Sequence, residues 1–163
     1  EKAIEFLMLA GLKNFFVFDY IHANECFERI TTIVETDKTY EKVLNTSDSK
    51  EINDKDKNAL NNYIKSKLYI GKILLSTGQW DDGLRILEPL KNKISHISYE
   101  TVYETYFSVG KTYALKRQHE KAIEDFTEAI RNDPEYIDAY DSRASHYIYI
   151  DEWEKAIKDY KRL

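Results

Sequence analysis

A seven-residue pattern near the end of the chain occurs twice, 34 residues apart. Residues 120–126 read EKAIEDF and residues 154–160 read EKAIKDY. Two pairs of tyrosines upstream have the same separation: Tyr106 with Tyr140, and Tyr113 with Tyr147. A fixed period of this length is typical of repeat proteins, in which each unit packs against its neighbours and cannot bury its apolar face alone.

Two earlier copies share this register with more drift. One small residue stands at the same place in each of the four copies: Gly11, Gly71, Gly110 and Ala144. The interval from Gly71 to Gly110 is 39 residues, so the connection around 94–99 holds five extra residues. An ordinary helical bundle also has apolar residues at helical spacing, but it has no reason to keep one period. The register therefore favours a repeat array.

Residues 103–136 resemble the tetratricopeptide repeat. The signature positions that this unit matches are Tyr106, Gly110, Tyr113, Ala122, Phe126, Ala129 and Pro134. The match is good for 137–163, partial for about 64–97 and weak for about 4–37. The resemblance implies an all-α fold, a right-handed α-solenoid of about four stacked antiparallel helix pairs, with 1–163 as a single repeat domain. Because the sequence begins and ends inside helical patterns, we expect this domain to be part of a longer chain.

The small residues explain the packing that such a fold requires. They let the two helices of a unit approach within about 8–10 Å, while large residues fill the space beside them. Pro134 disfavours helical geometry at the residue before it and so ends a helix. We expect four helix pairs: 2–17 with 20–35, 56–77 with 80–93, 99–116 with 119–132, and 137–150 with 153–163.

The segment 36–62 interrupts the repeat. Its residues 45–51 and 53–58 are almost all polar, and such a composition buries too little apolar area to offset the entropy of ordering. We expect a polar insertion that is partly disordered, with a lid or a partner-specific contact as the alternative. From Asp54 onward the chain is expected to enter a long first helix.

Charge and cysteine content limit the classes of partner and compartment. The chain has 24 Lys and Arg against 29 Asp and Glu, a net charge of −5. This balance argues against nucleic acid and against direct membrane binding, since both need basic residues facing phosphates. Cys26, the single cysteine of the sequence, cannot form an internal disulfide, which favours a reducing compartment such as the cytoplasm. A protein partner fits this composition.

No catalytic constellation is found in the sequence, so we expect a non-enzyme without metal or cofactor. The residues Asp54, Asp56 and Asn58 begin like a calcium-binding loop, but Ala59 replaces the turn glycine and Lys65 the closing acidic ligand. The histidines lack metal-ligand spacing in the sequence: His22, His96, His119 and His146.

The resemblance implies a concave surface formed by the first helix of each pair, where a peptide or helix of a partner protein would bind. The predicted groove residues are Lys65, Leu68, Lys72, Glu104, Phe107, Lys111, Asp138, Asp141 and Ser145. Met8, Leu12 and Phe15 would extend this groove toward the N-terminus. Its floor is expected to be apolar at the start, basic in the middle and acidic toward the end.

Some members of this family grip a C-terminal carboxylate with Lys, Asn and Arg side chains. This chain places Phe107 or Leu68 at the first Lys position of that clamp and Ser142 at an Asn position, so we reject such an activity. The leading hypothesis is a scaffold that binds a partner in the groove. The alternatives are a structural subunit that self-associates through its terminal repeats, and the regulatory region of a multidomain enzyme.

Overall fold

The computed structural model describes residues 2–38, 54–96 and 99–163. Its regular elements are helical throughout these ranges. The helices are α1 (Lys2–Phe16), α2 (Tyr20–Thr36), α3 (Asp54–Ser76), α4 (Trp80–Leu87), a 3-10 helix (Glu88–His96), α5 (Tyr99–Leu115), α6 (His119–Asn132), α7 (Ile137–Tyr149) and α8 (Trp153–Tyr160). They form consecutive antiparallel pairs, so the predicted all-α solenoid of stacked helix pairs is confirmed.

The same left-handed turn joins the two helices of each pair. Its residue with positive φ is Phe18 (61°), Gly78 (81°), Arg117 (58°) or Asp151 (61°). In each turn the next backbone N–H donates to a carbonyl five residues back, as Gln118 does to Tyr113 at 2.9 Å. Only Gly78 adopts this conformation without steric strain, so three of the four turns are held by their surroundings.

The predicted pairing of small and bulky residues forms the core of two units. The ring of Phe27 lies directly against Gly11, and the ring of Phe126 lies against Gly110. A Cβ atom on Gly110 would lie 2.8 Å from the Phe126 ring, so an alanine there would force the ring to move. In the last unit Ala144 replaces the glycine, and the matching Tyr160 is partly exposed.

The helices stack in chain order. The second helix of each pair packs against the first helix of the next, as α2 does on α3 and α6 on α7. The first helices α1, α3, α5 and α7 also contact one another in sequence. No comparable contact joins successive second helices within the ranges that the structure describes. The first helices therefore form one continuous face, called here the first-helix face.

In the middle of the chain one predicted helix differs from the structure, and the predicted long helix from Asp54 onward agrees with it. The predicted helix over 80–93 is wrong, because α4 ends at Leu87 and the chain continues as a 3-10 helix. Pro89 lacks the backbone N–H that the next α-helical bond needs. The polar segment is helical from Asp54 onward, as α3 begins there, while the part of the predicted insertion over 39–53 lies outside the described residues.

Candidate partner-binding groove

A cavity of about 400 Å³ opens on the first-helix face. It is called here the first-helix cavity, and its lining residues come from α1, α3, α5 and the turn before α7: Phe15, Lys72, Leu75, Ser76, Phe107, Ser108, Lys111, Leu115 and Tyr136. Three successive units thus contribute to one concave site. A cavity of this size accommodates one or two apolar side chains of a ligand.

Aromatic contacts hold the walls of the cavity in place. On one side, the Phe15 ring packs edge-on against Tyr69 with centroids 4.9 Å apart. On the other, Phe107 packs against Tyr136 at 4.9 Å and against Phe126 at 5.6 Å. Because Phe126 is fully buried, Phe107 is tied to the core and presents a fixed apolar surface to the cavity.

The two lysines of the cavity differ in their electrostatic partners. Lys72 of α3 forms an ion pair with Glu104 of α5, with Nζ 2.6 Å from Oε2. Both side chains are about three quarters buried, so this pair joins two units and neutralises the lysine. Lys111 is exposed, and its Nζ lies 5.7 Å from the centre of the Phe107 ring. Lys111 is therefore the cavity cation that is available to an anionic ligand.

Burial and charge also act on a tyrosine beside the cavity. Burial raises the pKa of Tyr69 to about 12, and the carboxylates of Glu104 and Glu100 add to the effect. The phenol therefore stays neutral at physiological pH. The Nζ atom of Lys72 lies 4.9 Å from the centre of this ring, which adds a cation–π contact to its ion pair.

The structure divides the predicted groove residues into three groups. Lys72, Phe107 and Lys111 line the first-helix cavity, and Glu104 holds Lys72. Leu68 is fully buried in the core that α3 shares with α5, so its prediction as a groove residue is wrong. The remaining predicted residues do not line the cavity: Lys65, Asp138, Asp141 and Ser145.

The three residues of α1 that were predicted to extend the groove also differ in their positions. Phe15 lines the first-helix cavity, whereas Met8 is buried in the core between α1, α2 and α3. Leu12 is partly buried against that core and is not a lining residue. In the last unit, the Ser145 hydroxyl lies 3.2 Å from the Tyr160 hydroxyl, so it joins α7 to α8.

Sequence reasoning missed five lining residues: Leu75, Ser76, Ser108, Leu115 and Tyr136. Tyr136 had a detectable signal, because it follows Asp133-Pro134, where the second helix ends and the chain returns to the first-helix face. Leu75 and Leu115 lie four residues after Gly71 and five after Gly110, respectively, near the ends of their helices. Which of those helix ends reaches the cavity depends on the length and stagger of α3 and α5.

The structure brings together two histidines that are far apart in the sequence. The Nδ1 atoms of His119 and His146 lie 2.9 Å apart, although 27 residues separate them. This pair is too small to hold a metal by itself, and no group of three or more potential ligands occurs in the described part of the chain. Nor does any helix of that part have the length and apolar character to cross a membrane.

Relatives and solved structures similar to this chain agree with the repeat architecture, although no protein-family model matches the sequence. Over 64 residues the chain is 38% identical to mouse DnaJ homolog subfamily C member 7 and 34% identical to the human protein. That match covers 39% of this chain and 13% of either relative.

Solved structures match over nearly the whole chain. A tetratricopeptide repeat protein from Parabacteroides merdae superposes with a TM-score of 0.68 at 14% identity, covering 100% of this chain and 53% of that one. MamA from Desulfovibrio magneticus RS-1 superposes with a TM-score of 0.60 at 20% identity, covering 98% and 72%. The resemblance read from the sequence is confirmed, and the chain has the fold of the tetratricopeptide repeat proteins.

Proposed function

We propose that this chain is a non-catalytic scaffold that binds a segment of a partner protein in the first-helix cavity. The observation that carries the proposal is the composition of that cavity. Leu75, Phe107, Leu115 and Tyr136 form apolar walls from two units, and the exposed Lys111 stands at the rim. Concave apolar sites with a few placed polar groups are the usual form of ligand-binding sites.

The charges around the cavity define the preferred ligand. A bulky apolar side chain of the partner would fill the cavity, and an acidic residue next to it would pair with Lys111. Lys72 contributes less, because Glu104 already neutralises it. Farther along the first-helix face, the exposed Asp138 and Asp141 of α7 favour basic residues in the partner. The ligand is therefore a segment in which an acidic and an apolar residue lie close together and basic residues lie farther away along the segment.

The test is selection of peptides on the 163-residue chain from a displayed random library, followed by affinity measurement with fluorescence anisotropy. We expect the double variant Lys111→Glu with Leu115→Gln to weaken binding at least about tenfold, since it reverses the rim charge and makes a wall polar. Both side chains are exposed, so the fold should persist.

The matched control is Lys121→Glu, which makes the same charge change on an exposed position of the second helix α6. This control should bind as the unchanged protein does. Equal binding by the cavity variant and the control would contradict the groove proposal, and circular dichroism of both variants verifies that each remains helical.

A second candidate role is assembly through the end units. It is favoured by large apolar side chains that are exposed at both ends of the array, among them Phe6 and Leu9 on α1 and Trp153 and Ile157 on α8. Exposed apolar patches of this kind mark interaction surfaces.

A further inference from the structure

Three exposed apolar side chains lie at the turn between α1 and α2. Val17 exposes 65% of its surface, Phe18 77% and Ile21 73%. These three residues are called here the α1–α2 turn patch. The Phe18 ring packs edge-on against Tyr20 with centroids 6.1 Å apart, and Tyr20 packs against the core. The exposed ring is thus held against the start of α2.

The repeat register shows that stacking of units does not cover this patch. The positions equivalent to Phe18 and Ile21 in the two middle units, counted from the small residue of each first helix, are Gly78 and Asp81 in one and Arg117 and Glu120 in the other. All four are exposed, although each middle unit has a neighbour on both sides. A unit before α1 would therefore leave Phe18 and Ile21 exposed as well.

Phe18 also has a backbone conformation that bulky side chains rarely adopt. Its φ is 61°, in the left-handed region, where the equivalent residue of the second unit is Gly78. A side chain is disfavoured there because its Cβ atom comes too close to the neighbouring carbonyl oxygen. A glycine would form the same turn without this strain and without an exposed ring. The turn itself therefore does not require a phenylalanine at this position.

A groove of about 450 Å³ continues from the patch along α2. It lies between α2, the end of α3 and the turn that follows α3, and it is called here the α2 groove. Its apolar lining residues are Tyr20, Ile21, Ile73 and Leu74. Ile21 belongs to both the patch and the groove, so the two surfaces are continuous. Ile73 is buried in the core, which fixes the floor of the groove.

The rim of the α2 groove is negatively charged. Among the described residues that line it, the charged ones are Glu25 and Glu28, and both are exposed. Arg29 is an exposed cation of the same helix, but it is not a lining residue. At the turn, Asp19 pairs with His22 at 2.7 Å, so these two groups offset each other when the histidine is protonated. The surface as a whole is an apolar strip with two carboxylates at its edge.

We propose that the α1–α2 turn patch and the α2 groove together bind a basic, amphipathic segment of a partner protein. Apolar residues of the segment cover Phe18 and Ile21, and its lysines or arginines pair with Glu25 and Glu28. Burial of the apolar strip supplies affinity, and charge complementarity selects the partner. A membrane surface fits less well, because the two carboxylates would be repelled by anionic lipids.

This site is separate from the first-helix cavity, and the experiment keeps the two apart. Peptides are selected from a displayed random library on the chain that carries Lys111→Glu with Leu115→Gln. Counter-selection uses the same chain with Phe18→Gly and Ile21→Gln added. We expect the enriched peptides to combine Lys or Arg with Leu, Ile or Phe. Enrichment of acidic peptides, or no enrichment over the counter-selected chain, would overturn the proposal.

The counter-selected chain should keep its fold. Phe18→Gly relieves the left-handed strain at the turn, and Ile21→Gln changes an exposed side chain. Circular dichroism and urea denaturation verify this before the selection.

A second pair of substitutions tests the charges independently of the selection. Glu25→Gln with Glu28→Gln should weaken binding of the enriched peptides about tenfold at low salt, measured by fluorescence anisotropy. It should also reduce the salt dependence of binding, because the charges that salt screens are absent. The matched control is Glu120→Gln with Glu124→Gln, which removes two charges from exposed positions of α6. Equal binding by these two variants would contradict the proposal.

Two other occupants of the patch would overturn the proposal. One is a membrane, shown by co-sedimentation with vesicles of phosphatidylcholine and phosphatidylserine that Phe18→Gly with Ile21→Gln abolishes. The other is a second copy of the chain, shown by self-association in sedimentation velocity that the same variant abolishes. We expect neither result.

Discussion

The junction of α2 with α3 and the junction of α6 with α7 have the same place in the repeat but different chemistry. At the first, the contact is apolar: Phe27 stacks on Tyr69 with ring centroids 5.2 Å apart, within a core of aliphatic side chains. Polar contacts lie at its edge, where Glu35 accepts hydrogen bonds from Tyr63 at 2.9 Å and Lys67 at 3.0 Å.

At the second junction polar groups lie inside the contact. His119 and His146 meet at 2.9 Å, and Arg143 donates to Thr127 across the junction at 3.0 Å. The same guanidinium donates two hydrogen bonds of 2.7 Å to the buried carboxylate of Asp159 on α8, so one arginine contacts both α6 and α8.

The repeat register therefore determines which helices pack together, but it does not determine which interactions stabilise the contact. An apolar junction tolerates changes of pH and of edge charges. Arg143 at the second junction belongs to a buried ion pair with Asp159 of α8, which is sensitive to the loss of either partner, since an unpaired buried charge is costly. Four predictions test this difference.

The largest effect is expected from the buried phenylalanine that the first and third units have at the same repeat position. Phe27→Ala and Phe126→Ala each remove a fully buried ring and should lower the free energy of unfolding by about 3–5 kcal/mol. Urea denaturation measures both, with Ile21→Ala as an exposed control. A much smaller loss for Phe27→Ala would show that the first unit does not pack as the third does.

Arg143→Met should cost nearly as much, about 3 kcal/mol or more, because it leaves the carboxylate of Asp159 buried without its cation. Adding Asp159→Asn removes the stranded charge and should restore part of the stability in the same urea assay. If the double variant is less stable than Arg143→Met, the ion pair is not the cause of the loss.

Acid should loosen the second junction selectively. Burial and the neighbouring charge of His119 lower the pKa of His146, so the fold favours neutral His146. The stability from this group is complete above the unfolded value of about 6.5 and is lost as pH falls through the lower folded value. The His119 ring faces His146 from α6, with the two Nδ1 atoms 2.9 Å apart, and Tyr149 packs beside His146 from α7.

Hydrogen exchange at pH 7.5 and 5.5, corrected for intrinsic rates, measures this effect region by region. Amides of α7 should lose protection at the lower pH, whereas those of α3 at the apolar junction should not. His146→Phe should abolish the difference while keeping the ring contacts. Equal loss of protection at both junctions would contradict the assignment to His146.

The smallest effect is expected at the edge of the first junction. Partial burial alone would raise the pKa of Glu35. The hydrogen bonds from Lys67 and Tyr63 outweigh this effect, so the pKa is lowered. Glu35 is half exposed and can be hydrated without Lys67, so Lys67→Met should cost less than about 1 kcal/mol. A loss as large as that of Arg143→Met would show that this exposed edge pair stabilises the fold as much as the buried ion pair does.

The sequence by itself determined the class of fold. The period of 34 residues and the pairing of Gly110 with Phe126 describe contacts inside one unit, where helix geometry fixes which side chains meet. The same reasoning placed Lys72, Phe107 and Lys111 on the first helices, and these residues line one cavity. Local spacing suffices for such statements because 3.6 residues per turn sets the face of each side chain.

Only the tertiary structure decided which positions are covered by the next unit. Leu68 has the same place in its unit as Phe107, yet the former is buried and the latter lines the cavity. The ion pair of Lys72 with Glu104 and the contact of His119 with His146 also join different units. These distances depend on helix length, stagger and turn geometry between units, and residue spacing within one helix carries no information about them.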